Sequence, residues 1–163
     1  MKVIKVIMIA FIVIMALIIL NDFLFSEYEE MCSNMEIRLP ITAKRDYKDT
    51  HGGFRNEGET LAKVYLNDKQ TEKLINKIQK NPNWKQTPIT EMLEKRITEQ
   101  TIEEDMAVPK ITNGYWICKD RHLDATKIYN EIEIFSTDRY SENFSVGVLD
   151  VDNNILYFYQ VDT

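Results

Sequence analysis

From Val6 through Leu20 the chain carries an unbroken apolar run, with Lys2 and Lys5 before it and Asp22, Glu27, Glu29 and Glu30 after it. Inside hydrocarbon a backbone can hydrogen-bond only to itself, so a run of this kind is most stable as a helix in a bilayer. Spanning takes roughly 20 apolar residues at about 1.5 Å each. Val3 to Leu20 meets that length when the Lys5 amine snorkels to the headgroups, and Phe23, Leu24 and Phe25 extend the stretch into the interface. The pattern predicts a transmembrane anchor over residues 1–25, with Lys2 and Lys5 held on the cytoplasmic side and the rest outside. A cleaved signal peptide, giving a secreted protein, is the alternative. Such a peptide has an apolar core of about 7 to 15 residues and a small-x-small cleavage site. Here the only tolerable site has Leu24 and Ser26 at the recognition positions.

After the anchor the periodicity changes. Residues 26–34 read as a polar, acidic stalk and residues 35–163 as one extracytoplasmic domain. Met35 to Leu39 and Leu61 to Leu66 alternate as short strands, with a turn-rich segment, Asp46 to Glu59, between them. Asn67 or Asp68 can cap a helix whose stripe is Leu74, Ile75 and Ile78 and which Asn81-Pro82 ends. Thr87-Pro88 opens a second helix, with Ile89, Met92, Leu93 and Ile97 at helical spacing to about Thr101. Asn113-Gly114 suits a two-residue turn joining Val108–Thr112 to Tyr115–Lys119, and Pro109 marks the first of these as an edge. Asp124 to Asn130 reads as a short helix. Phe144 to Val151, a turn at Asp152-Asn153-Asn154 and Ile155 to Val161 form a last hairpin. Together these predict an α+β fold, a mainly antiparallel sheet with two or three helices packed on one face.

Charge narrows the partners. The chain holds 20 Lys+Arg against 26 Asp+Glu; without Lys2 and Lys5 the balance is 18 against 26, a net charge of about −8 outside the membrane. An acidic surface repels phosphate backbones, which argues against nucleic acid and anionic lipid as partners. The two cysteines, Cys32 and Cys118, lie in a compartment that permits disulfides, so they are a candidate pair or two buried thiols. Cys/His metal spacings and cofactor motifs are absent from the sequence.

The most distinctive polar stretch is Asp49-Thr50-His51-Gly52-Gly53-Phe54. An Asp and a His two positions apart can orient a proton-transfer group, and the glycines let backbone approach a ligand. The second histidine lies in Asp120-Arg121-His122, so Asp49, His51, Asp120 and His122 are the candidate residues for hydrolytic chemistry if the two segments meet. Otherwise the glycines make a turn and the histidines bond locally. Tyr115, Trp116, Tyr157 and Tyr159 are candidates for an aromatic binding face, against the alternative of core packing. Asp150-Val151-Asp152-Asn153-Asn154 matches the first half of a calcium loop, but Ile155 and Val161 stand where that loop needs Gly and Glu, which favours a hairpin turn. Asn143-Phe144-Ser145 fits the N-glycosylation pattern, which matters only in a eukaryotic secretory pathway.

Asp49-Thr50-His51-Gly52-Gly53-Phe54, Asn113-Gly114-Tyr115-Trp116 with Asp120-Arg121-His122, and the ending Leu156-Tyr157-Phe158-Tyr159-x-x-Asp162-Thr163 resemble a family of uncharacterised small bacterial envelope proteins tethered by an N-terminal helix or lipid. The likeness covers about residues 46–163. It implies a bacterial envelope location, and so an unglycosylated Asn143, and transfers no catalytic residue. Two functions follow as expectations. One is a non-catalytic module on a single-pass anchor, binding an envelope or secreted protein, with an immunity-type or inhibitory role as one version. The other is an envelope hydrolase or metal-binding enzyme built on Asp49 and His51 with Asp120 and His122.

Overall fold

The computed structural model describes residues 2–53, 57–99, 106–121 and 142–163, and the side chains of all of these except 2–6, 17–24 and 99. In chain order the elements are α1 (Lys2–Met35), β1 (Lys44–Asp49), β2 (Gly58–Tyr65), α2 (Asp68–Ile78), β3 (Lys85–Gln86), α3 (Glu91–Glu99), β4 (Gly114–Asp120), β5 (Asn143–Asp150) and β6 (Ile155–Asp162). The strands form one sheet in the order β1-β2-β6-β5-β4-β3, with every neighbouring pair antiparallel. The fold is therefore α+β. The expected helix at Asp124–Asn130 lies outside the described residues.

α1 is one helix of 34 residues. Its large apolar residues Ile7, Met8, Ile9, Phe11, Ile12, Val13, Ile14 and Met15 are exposed, from 41% to 64%. Among the described residues no helix is long and apolar enough to cross a membrane; the exposed stretch 7–16 amounts to about 15 Å of helix. Where a free acidic stalk was expected at 26–34, the helix instead continues and buries Tyr28, Met31, Cys32 and Met35 in the core. The apolar positions 28, 31, 32 and 35 recur at helical spacing, a stripe that the surrounding glutamates obscure.

The helix stops at Met35, so the expected strand Met35–Leu39 is not formed. Glu36 turns left-handed at φ 56°, the Glu36 N–H donates to the Ser33 carbonyl, and the Ile37 N–H donates to the Cys32 carbonyl. That pair of bonds closes a helix end in the Schellman manner. A glutamate is strained there. Its carboxylate accepts from the Asn83 amide at 2.6 Å and the Asn81 amide at 3.4 Å, which hold the turn.

Local signals elsewhere agree with the structure more closely. Asn67 caps α2: its side chain accepts from the Gln70 N–H at 3.0 Å, and Gln70 Oε1 accepts from the Asn67 N–H at 2.9 Å. β5 and β6 form the expected hairpin, closed by residues 151–154. α3 begins three residues later than the Pro88 signal, at Glu91.

Two expectations about the sheet are overturned. Helices cover both faces: α1 and α2 pack on one, with Leu74, Ile78, Ala62, Val64, Ile117, Leu149, Leu156 and Phe158, and α3 packs on the other, with Leu93, Ile97, Trp116, Cys118, Phe144, Val146 and Tyr159. β5 and β6 are buried at successive positions, which is possible only between two layers. Val108–Thr112 is not a strand either. The place beside β4 is held by β3, which pairs Lys85 with Trp116 and Gln86 with Tyr115, while Val108 and Ile111 turn inward as core.

Gly114 accordingly starts β4 instead of making a turn, and a Cβ there would lie 2.0 Å from the Leu149 carbonyl oxygen. Because that neighbour is backbone, Gly114→Ala should destabilise the protein by about 3 kcal/mol or more. Urea titration of the full chain in mild detergent, followed by tryptophan fluorescence, measures this; a loss below about 1 kcal/mol would contradict the tight β4–β5 approach.

Candidate functional site

The Asp49–His51 segment is set by its neighbour on β2. A Cβ on Gly58 would come within 2.6 Å of the His51 Cα and N, so only glycine lets the chain after β1 lie this close. The Thr50 N–H donates to the Glu59 carbonyl at 2.9 Å, and the Glu59 N–H donates to Thr50 Oγ1 at 2.8 Å. Gly52 then bridges to Glu57, and Gly53 takes φ 71°. The sequence DTHGG is thus a turn that presents one imidazole over the end of the sheet.

That imidazole lies between two carboxylates. His51 Nδ1 is 2.5 Å from Asp49 Oδ1, and His51 Nε2 is 3.0 Å from Asp162 Oδ2, with the His51 side chain 8% exposed. Arg121 forks onto Asp162, with NH2 at 3.0 Å from Oδ1 and NH1 at 3.1 Å from Oδ2. Gln160 Nε2 donates to Asp162 Oδ2 at 3.2 Å and to Glu30 Oε1 at 2.9 Å, while Asn34 Nδ2 donates to Gln160 Oε1 at 2.8 Å. One hydrogen-bonded network therefore joins α1, the turn after β1, β6 and the residue following β4.

Burial alone would push the Asp49 carboxyl up, but the His51 N–H and the His51 ring outweigh it and hold it below the ordinary value. Tyr47, on the same face, is pushed up to about 12 by burial, with Glu27 and Asp49 adding to the effect.

Of the four residues expected to carry chemistry, Asp49 and His51 meet. Asp120 alternates with Trp116 and Cys118 onto the α3 face, so the sheet separates it from His51. His122 lies outside the described residues. Sequence reasoning missed Asp162, Gln160 and Arg121 as members of the group. They reach His51 only through sheet pairing, Asp162 from 111 positions away.

The arrangement suits holding better than turnover. Both ring nitrogens of His51 face carboxylates, and the guanidinium of Arg121 already occupies Asp162. Among the described residues no three His, Cys, Asp or Glu side chains are grouped to hold a metal ion. At the last hairpin, Asp150 accepts from the Asn153 N–H and amide at 3.1 and 2.8 Å, which is turn bonding.

The aromatic face is core. Trp116, Tyr157 and Tyr159 are 2%, 5% and 1% exposed. Tyr159 donates to Glu59 Oε1 at 2.8 Å, and Tyr115 sits on the opposite face, accepting from Gln79 Nε2. Cys32 and Cys118 form no disulfide, because they belong to cores on opposite faces of the sheet. In comparisons with family models, curated proteins and solved structures, the chain matches none.

The sign of the acid response follows from Asp49. Its folded pKa is depressed below 3.8, so the pair contributes stability above the unfolded value and loses it as pH falls through the lower folded value. His51→Ala should lower the melting temperature at neutral pH and flatten the decline on acidification to about pH 3. Parallel curves for the two proteins would show that the pair contributes nothing.

Proposed function

We propose that the chain is a single-pass membrane-anchored protein whose α+β domain acts outside the cytoplasm as a non-catalytic binding module. The observation that carries this reading is α1 itself. Consecutive helical residues turn by about 100°, so exposed apolar side chains from Ile7 to Met15 cover the whole circumference of the helix. The sequence continues apolar to Leu20, and the same helix then enters the core at Tyr28. Lys2 and Lys5 favour a cytoplasmic N-terminal side. The resemblance to tethered bacterial envelope proteins points the same way, and three of the segments that carry it supply Asp49 and His51, Arg121 and Asp162 to one network.

A tethered domain needs only a modest site, because the membrane concentrates it near its partner. The acidic exterior fits a basic protein partner, as an inhibitor or immunity protein would require. The hydrolase reading draws on the Asp49–His51 contact, but an imidazole engaged on both nitrogens must break one bond before it can move a proton.

Expressed in bacteria, the full chain should stay in the membrane pellet through alkaline carbonate washing and show its uncleaved intact mass. Release into the wash, or a mass beginning near residue 27, would overturn the anchor. Co-purification from solubilised membranes should then yield a specific partner at low salt that weakens at high salt; no partner at either salt would count against a binding module.

A further inference from the structure

The second half of α1 crosses the sheet strand by strand. The guanidinium of Arg45 on β1 lies 5.2 Å from the centre of the Tyr28 ring. Glu30 and Asn34 bracket Gln160 on β6. Met35 lies over Gly147 on β5, where an added Cβ would meet its Cγ and Sδ at 2.8 Å. The Ser33 carbonyl accepts from Lys119 on β4. Followed backward, the helix leaves the domain over the β1 edge, and it does so unbroken.

That continuity sets a distance. Leu20 to Tyr28 spans eight residues, about 12 Å at 1.5 Å per residue, and Phe25 to Tyr28 only about 4.5 Å. The headgroup zone beyond the hydrocarbon is about 5–7 Å deep on each side. With Phe25 in the interface, β1 sits at the level of the lipid phosphates.

The residues of β1 suit that position. Lys44 has a side chain 75% exposed, and Lys48 is exposed beside it on the same face. Of the strand's carboxylates, Asp46 accepts from the Tyr65 hydroxyl at 2.7 Å and Asp49 is engaged by His51. Lys44 contacts Asp46 at 3.8 Å and lies 5.0 Å from the centre of the Tyr65 ring, yet stays mostly exposed.

We infer that the β1 edge rests on the outer leaflet of the membrane that holds α1, with Lys44 at the phospholipid phosphates and the strands lying along the membrane plane. The inference rests on the anchor reading above. It leaves the opposite edge, β3 and β4, turned outward. Five inter-strand spacings place β3 about 24 Å farther from the bilayer than β1.

Full-length chain, carrying a single environment-sensitive fluorophore on Ile12→Cys, Lys48→Cys or Lys85→Cys, is reconstituted in phosphatidylcholine vesicles. Cys32 and Cys118 are buried, so labelling under native conditions spares them. Acyl-chain quenchers should reach the Ile12 label, and headgroup spin labels should quench the Lys48 label several-fold more than the Lys85 label. Lys44→Glu should reduce quenching at position 48 without changing that at position 12. A quenched Ile12 label with equal, weak quenching at 48 and 85 would overturn the seating of β1 while leaving the anchor in place. An unquenched Ile12 label would overturn the anchor, and the seating with it.

Discussion

The approach of Met35 to Gly147 is the contact on which the rest of this domain turns. Without a side chain at 147, the last turn of α1 can settle onto the middle of the sheet, where a Cβ would meet Met35 at 2.8 Å and Ile117 at 3.2 Å. The Trp84 indole N–H then donates to the Met35 carbonyl at 2.8 Å, and Glu36 reverses the chain. Once that end is seated, Tyr28, Met31 and Cys32 fall into register above the sheet, and α2 packs alongside them in the same core.

The His51 network closes the same layer from the other side. It ties together parts of the chain that share no element: the turn after β1, the end of β6, the residue after β4, and α1 through Gln160. Asp162 faces both an imidazole and a guanidinium. Such a group fixes relative position through short bonds among half-buried partners. It also explains why an Asp–His pair that reads as catalytic can serve a structural end: the geometry that orients a base will equally well immobilise one.

How much was legible depended on how far each signal reached along the chain. α2 was readable because its cap at Asn67, its stripe at Leu74 and Ile78 and its stop near Asn81 are local. The β5–β6 hairpin was readable for the same reason. β1 was not, because Lys44 to Asp49 contains one apolar residue, Tyr47, and becomes a strand only by pairing with β2 as a charged edge. Val108 and Ile111 imitated a strand, yet they plug the core beneath the α3 layer. The unbroken apolar runs Val146 to Leu149 and Leu156 to Tyr159 are the available sign that both faces are covered. At the site, Asp49 and His51 were visible as a pair two positions apart, whereas Asp162 and Arg121 arrive through pairings that no local pattern encodes.

α1 has no joint. A helix that runs without a break from an exposed apolar segment into a packed core transmits tilt instead of absorbing it. Spans tilt by about 20° on average and adjust as the bilayer thickens or thins. For a sheet about 24 Å across, a rotation of that size about the point where α1 emerges moves the far edge by about 8 Å. Any tilt of the exposed apolar segment is carried whole to β3, and the domain is in that sense a lever arm on α1.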